Sequence, residues 1–83
     1  MDPVAVDIHA YVRLYNSAGW RLQHLRKNKG LTQKGLSLSA KLSHNTVHKL
    51  EAEEHQLSAL TAIALASVLE CTPEWLLFGV TYE

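Results

Sequence analysis

Staples, membrane spans and redox centres have little to work with in this chain. A single cysteine, Cys71, excludes an intrachain disulfide framework and a cysteine-rich zinc site, and it fits a reducing compartment. Long apolar runs are missing as well. The longest stretch free of charged residues and histidine runs from Gln56 to Leu69, too short and too rich in Ser, Thr and Gln to span a bilayer. Asp2 and Asp7 stand where a basic lead-in would be, so no secretory signal is expected. Glycine and proline number only four and two and serve as punctuation; there is no repeat, no low-complexity run and no glycine-rich loop to cradle phosphate. No nucleophile–base–acid set appears either, so the expectation is a protein that is not an enzyme.

Net charge is absent too: eight Lys+Arg balance eight Asp+Glu in 83 residues. A neutral sum argues against a polyanion partner, but the order of the charges reverses that argument. Arg13, Arg21, Arg26, Lys27, Lys29, Lys34, Lys41 and Lys49 all fall within residues 13–49, which contain no acid. Asp2 and Asp7 precede that span, and Glu51, Glu53, Glu54, Glu70, Glu74 and Glu83 follow it. Segregation of this kind is the footprint of a surface for a polyanion, with a solvated basic face as the plainer alternative.

What is present reads as helix. The length allows one domain, which buries roughly 60% of its unfolded surface and is marginal enough to favour a partner subunit. Asp2-Pro3 reads as a cap and first-turn proline for a helix over residues 3–15, with Val4, Ile8, Tyr11 and Tyr15 on one ridge and Val6, Ala10 and Leu14 on another. Two ridges exceed what one packing face needs, so an N-terminal extension, residues 1–16, is expected to offer a dimer contact. Asn16 or Ser17 caps the next helix, which ends in a basic turn at Gly30. Thr32 caps a helix over 33–41, and Ser43 one over 43–51. Ser58 caps a helix in which Leu60, Ile63, Ala64 and Val68 form a ridge at three- and four-residue steps. Thr72-Pro73-Glu74 opens the last one, closed by Gly79. Strand signals are confined to residues 80–82, so the expected class is all-α.

The helices over 33–41 and 43–51 are short and tightly joined. Leu36, Ala40, Leu42, Val47 and Leu50 point inward, and small Ser37 stands where the two must approach. A helix held this way can enter the major groove, whose base edges are distinguishable. Its outward residues are His44, Asn45, His48 and Lys49; asparagine suits adenine and lysine suits guanine.

Residues 21–79 resemble the Cro and phage-repressor family of helix-turn-helix, lambda-repressor-like DNA-binding domains. The resemblance rests on the joint spacing of Arg21, Leu22, Leu25, Arg26, Gly30-Leu31-Thr32-Gln33, Leu36, Ser43, Thr46-Val47, Leu50-Glu51, Leu65-Ala66, Leu69, Trp75-Leu76 and Gly79. It implies a small helical bundle over 17–83 that binds a double-stranded operator as a homodimer and regulates transcription, as a repressor. It also implies a cytoplasmic, bacterial or phage-encoded protein. By position, His44, Asn45 and Lys49 match the base-reading residues. Gln33 matches the glutamine that touches phosphate and braces the reading helix; Thr32, Ser43, Thr46 and His48 fall at the backbone or groove margin. Arg26 and Glu51 match a buried, structural ion pair, whose breaking by removal of one partner is expected to cost about 3–5 kcal/mol. Lys41 stands where the family has glycine, so a different turn geometry is expected there. Glu53, again at a glycine position, and Glu54 put acid into a loop that often approaches phosphate. They favour the alternative, an antitoxin or accessory module that uses this scaffold to bind a toxin or other partner protein.

The remaining singular residues have plainer readings. His44 and His48 have metal-binding spacing but no third ligand in prospect, so neither metal nor cofactor is expected. Cys71 reads as a small buried residue, Trp20 and Trp75 as core or dimer-contact aromatics, and His24 and His55 as surface residues.

Overall fold

The computed structural model describes residues 17–79, so the helix expected over 3–15 and the extended stretch at 80–82 lie outside the described residues. Five helices follow in order: α1 (Ala18–Asn28), α2 (Gln33–Ser39), α3 (Thr46–Glu51), α4 (Ala59–Leu69) and α5 (Pro73–Phe78). No strand forms among the described residues, in keeping with the all-α expectation.

Four of the helices start where a hydroxyl side chain satisfies an otherwise unpaired backbone donor. Ser17, Thr32, Ser58 and Thr72 accept from the N–H groups of Trp20, Gly35, Thr61 and Trp75 at 2.9–3.2 Å. A left-handed residue follows each of the five helices: Gly30 (φ 70°), Lys41 (φ 61°), Glu53 (φ 62°), Glu70 (φ 59°) and Gly79 (φ 72°).

Each helix delivers a large, fully buried apolar side chain to a common centre: Leu22, Leu36, Val47, Leu65 and Leu76. Ala62, Ala66, Leu69, Ala40 and Leu50 complete the buried set, and half-buried Leu25, Leu31, Leu42, Leu57 and Trp75 pack around it. α1 lies against α3 and α5, α2 against α3 and α4, and α4 against α5.

The inward face of α4 differs from the ridge that the spacing picks out. Ala62, Leu65, Ala66 and Leu69 are buried, Ala64 and Val68 are half-buried, and Leu60 and Ile63 are 81% and 54% exposed. The sequence ALTAIALASVL is apolar on every side, so periodicity alone could not choose the face. Half-buried Trp20 stacks on the exposed His24 ring, with centroids 5.0 Å apart and planes 11° apart. No helix among the described residues is long and apolar enough to cross a membrane.

Candidate nucleic-acid interface

The interface is built on α2 and α3. Their close approach depends on Ser37, which is completely buried and accepts from the Val47 N–H at 3.0 Å. This bond changes the expected start of the reading helix. α3 begins at Thr46, and Asn45 precedes it without a side-chain cap bond. Residues 43–45 form a turn in which the Ser43 carbonyl accepts from Thr46 N–H at 3.0 Å. α3 therefore runs from Thr46 and not from Ser43, and its first-turn donor at Val47 is satisfied from the neighbouring helix. His44 and Asn45 stand exposed on the lead-in turn, one step ahead of the helix.

Between the helices the chain keeps a left-handed turn residue, Lys41 at φ 61°. Leu42 N–H donates to the Ser37 carbonyl at 2.8 Å across this turn. The turn thus has the geometry that glycine would adopt, with lysine carrying the steric cost, and the altered geometry expected from Lys41 is not found.

A continuous polar chain braces α3 from behind. Arg26 on α1 donates from Nε to Glu51 Oε2 at 2.6 Å and from Nη2 to Glu51 Oε1 at 3.0 Å. Its Nη1 donates to the Leu31 carbonyl at 2.8 Å. The two side chains are only 10% and 4% exposed, so this ion pair between α1 and the end of α3 is buried. The bond to Glu51 holds the Arg26 guanidinium above its usual pKa, against the opposing effect of burial. Gln33 continues the chain: its Nε2 donates to Glu51 Oε1 at 2.9 Å, and its Oε1 lies 3.2 Å from His48 Nδ1. Gln33 is thus a brace between the first residue of α2 and two residues of α3.

Outward from this brace, His44, Asn45 and His48 are exposed and Lys49 is half-buried on the same helix and its lead-in. Thr32 and Ser43 are exposed, and Thr46 and Gln33 half-buried. The Thr32 hydroxyl already serves as the α2 cap.

The basic span divides in a way its sequence does not reveal. Arg21 is 3% exposed; its Nε and Nη2 donate to the Leu76 carbonyl at 3.1 and 2.9 Å, and Nη2 also to the Leu77 carbonyl at 3.0 Å. Burial pushes its pKa down, with Glu53 acting in the opposite sense. Arg26 is committed to Glu51, and Lys29 pairs with Glu70 on the surface. Lys27, Lys34 and Lys41 are exposed, and none of them forms an ion pair among the described residues. The surface offered to a polyanion within the described residues is therefore smaller than the run of basic residues suggests.

Glu53 has a structural partner. From a left-handed position (φ 62°), its Oε1 accepts the Gly19 N–H at 3.0 Å, so a carboxylate caps the N-terminal end of α1 where the helix dipole favours it. Nothing in the local pattern signals this contact, since 34 residues separate the partners. Among the described residues no group of three or more His, Cys, Asp or Glu side chains is placed to hold a metal.

Comparison with known proteins adds to this geometry. A family model described as helix-turn-helix matches residues 22–76. The chain is 38% identical over 61 residues to the HTH-type transcriptional regulator DicA of Escherichia coli (strain K12). That match covers 74% of this chain and 45% of DicA, so the chain spans under half the length of this relative. The P22 c2 repressor, crystallised in complex with synthetic operator 9T in the presence of Tl+, superimposes with a TM-score of 0.72 at 26% identity. The superposition covers 78% of this chain and 98% of the repressor chain. The solution structure of the P22 c2 repressor DNA-binding domain gives 0.71 at 26% identity, covering 77% and 84%.

Proposed function

Because this chain belongs to the helix-turn-helix family, we propose that it is a sequence-specific, DNA-binding transcriptional regulator, acting as a repressor in the cytoplasm. One observation carries the reading: α3 and its lead-in turn expose His44, Asn45 and His48 along one edge, with half-buried Lys49 beside them, while Ser37 and Gln33 hold the helix rigid from behind. In this reading His44, Asn45 and Lys49 meet base edges in the major groove, and Thr32, Gln33, Ser43, Thr46 and His48 meet the backbone or groove margin.

The protein acts as a homodimer on a two-fold operator whose half-sites are about 34 Å apart. Exposed Leu60 and Ile63 support self-association. The extension over residues 1–16 sets one apolar ridge against its own domain and the other against a second copy. Sedimentation tests this: a variant lacking residues 1–15 is expected to be monomeric or weakly dimeric, and a fully folded dimer would overturn it.

The protein-binding alternative loses part of its support, since Glu53 serves as the cap of α1. Salt-dependent retention of genomic fragments, including those from the protein's own promoter, tests the main reading. Affinity whose logarithm falls steeply with log salt is expected. Absence of retention at low salt, together with a tightly co-purifying protein, would overturn it in favour of the partner-binding module.

A further inference from the structure

We propose that the buried ion pair dictates which hydrogen-bonding face His48 shows to the outside. It makes this side chain a reader of exocyclic amino groups on bases rather than a phosphate contact. The inference rests on the DNA-binding reading above and moves His48 from the groove margin to the base-reading residues.

The chemistry is forced one bond at a time. Glu51 receives both Arg26 nitrogens and is a carboxylate, which only accepts. Whatever part of Gln33 lies 2.9 Å from Glu51 Oε1 must therefore donate, which places the amide nitrogen there. The amide oxygen of Gln33 is then turned to His48 Nδ1, 3.2 Å away, and an oxygen can only accept. His48 Nδ1 must carry a hydrogen. In a neutral imidazole only one ring nitrogen is protonated, so Nε2 is left as a bare acceptor on an exposed side chain.

An acceptor has no use for a phosphate oxygen, which is itself an acceptor. In the major groove its complements are the amino group of adenine and that of cytosine. The remaining outward residues fit a division of labour. Lys49 is a pure donor suited to guanine, Asn45 offers both senses, and His48 supplies the acceptor that lysine lacks. The same bonds brake rotation of the ring, which keeps Nε2 pointed in one direction.

Two measurements test the proposal. Long-range nitrogen–proton NMR of the free, full chain at about pH 8, where imidazole is ordinarily neutral, reads the tautomer directly. His48 is expected to be the Nδ1–H form, and Gln33→Leu, which leaves Arg26–Glu51 intact, is expected to return it to a mixture. Nε2–H in the parent would overturn the proposal. The second measurement uses duplexes selected by the protein from random DNA. Each adenine or cytosine in the selected site is replaced by an analogue lacking its amino group. One position is expected to weaken parent binding about threefold to tenfold and to leave His48→Ala indifferent. An effect of equal size in both proteins at every position would overturn the base-reading role. Failure to select any DNA would overturn the reading on which this one rests; selection of DNA by a protein whose ring is Nε2–H would overturn this inference alone.

Discussion

Arg21 donates from two nitrogens to the Leu76 carbonyl, joining α1 to the far end of α5 across 55 residues of chain. Carbonyls in the last turn of a helix have no partner within it, and this guanidinium fork takes two of them. The residue that looks most like part of a polyanion footprint is a clasp instead.

Arg21→Met is therefore expected to destabilise the domain by about 1–3 kcal/mol, the cost of leaving buried carbonyls unsatisfied. Chemical denaturation checks this. The salt slope of DNA binding, measured on the folded fraction, is expected to stay unchanged, whereas Lys34→Ala should lower it by about 1. A slope that falls equally in both variants would return Arg21 to the DNA surface.

Gly19→Ala pits two effects against each other. Helix propensity favours alanine by about 1 kcal/mol. A Cβ at Gly19, however, would lie 2.4 Å from Glu53 Oε1 and 2.8 Å from the Leu50 carbonyl, and the backbone at Leu50 cannot swing aside as a side chain can. Overpacking of this kind costs about 1–3 kcal/mol, so net destabilisation is expected by thermal melting. A melting temperature at or above the parent's would contradict the close approach of α1 to the end of α3.

Lys41→Gly is expected to stabilise the fold by about 0.5–1 kcal/mol. Relief of the left-handed conformation at φ 61° gains about 1–2 kcal/mol, and the freer unfolded chain returns about 0.4–1 of it. If Lys41 faces the phosphate backbone, DNA affinity falls in the same variant. Denaturation and binding measured on one preparation separate the two consequences.

Lys49→Ala and Asn45→Ala are each expected to relax selectivity at a single base pair by about 1–3 kcal/mol, while Gln33→Ala weakens binding to all sequences because it frees α3. Quantitative binding to specific and random duplexes distinguishes the two patterns. Parent-like behaviour in all three would remove these residues from the interface.

Burial pushes the Cys71 thiol above its ordinary pKa. A thiol raised on folding holds its proton longer in the native state than in the unfolded one, so its stabilising effect is complete below the unfolded pKa, about 8.5, and is lost as pH rises through the folded value. Alkylation at pH 8 is expected to be slower in the folded protein than in denaturant, and stability is expected to decline on the alkaline side. Cys71→Ser, which ionises in neither state, should flatten that decline.

Legibility in the sequence followed distance along the chain. Ser17, Thr32, Ser58 and Thr72 were readable as caps because each acts on an N–H three residues away. Arg26 and Glu51, 25 residues apart and 2.6 Å from each other in the fold, pair in a way that only the family resemblance made visible. Leu60 and Ile63 recur at helical spacing yet lie outward, because α4 is apolar all round and its inward face is chosen by what α5 and α2 present to it. Arg21 with Leu76 and Gly19 with Glu53 left no local trace, since each needs the finished bundle to bring its partner near. Ser37 was recognised for its size and not for its hydroxyl. The outward edge of α3 follows the sequence reading except at its start, which the hydroxyl from α2 moves to Thr46.

That hydroxyl bears on how the motif comes into being. A six-residue helix is too short to persist alone, because the nucleation cost exceeds what its few internal bonds return. With its second N–H, that of Val47, satisfied by the Ser37 hydroxyl, α3 gains a first-turn bond only when it packs on α2. α3 and its support therefore melt together, and the Val47 amide is expected to exchange with solvent only in openings that separate the two helices.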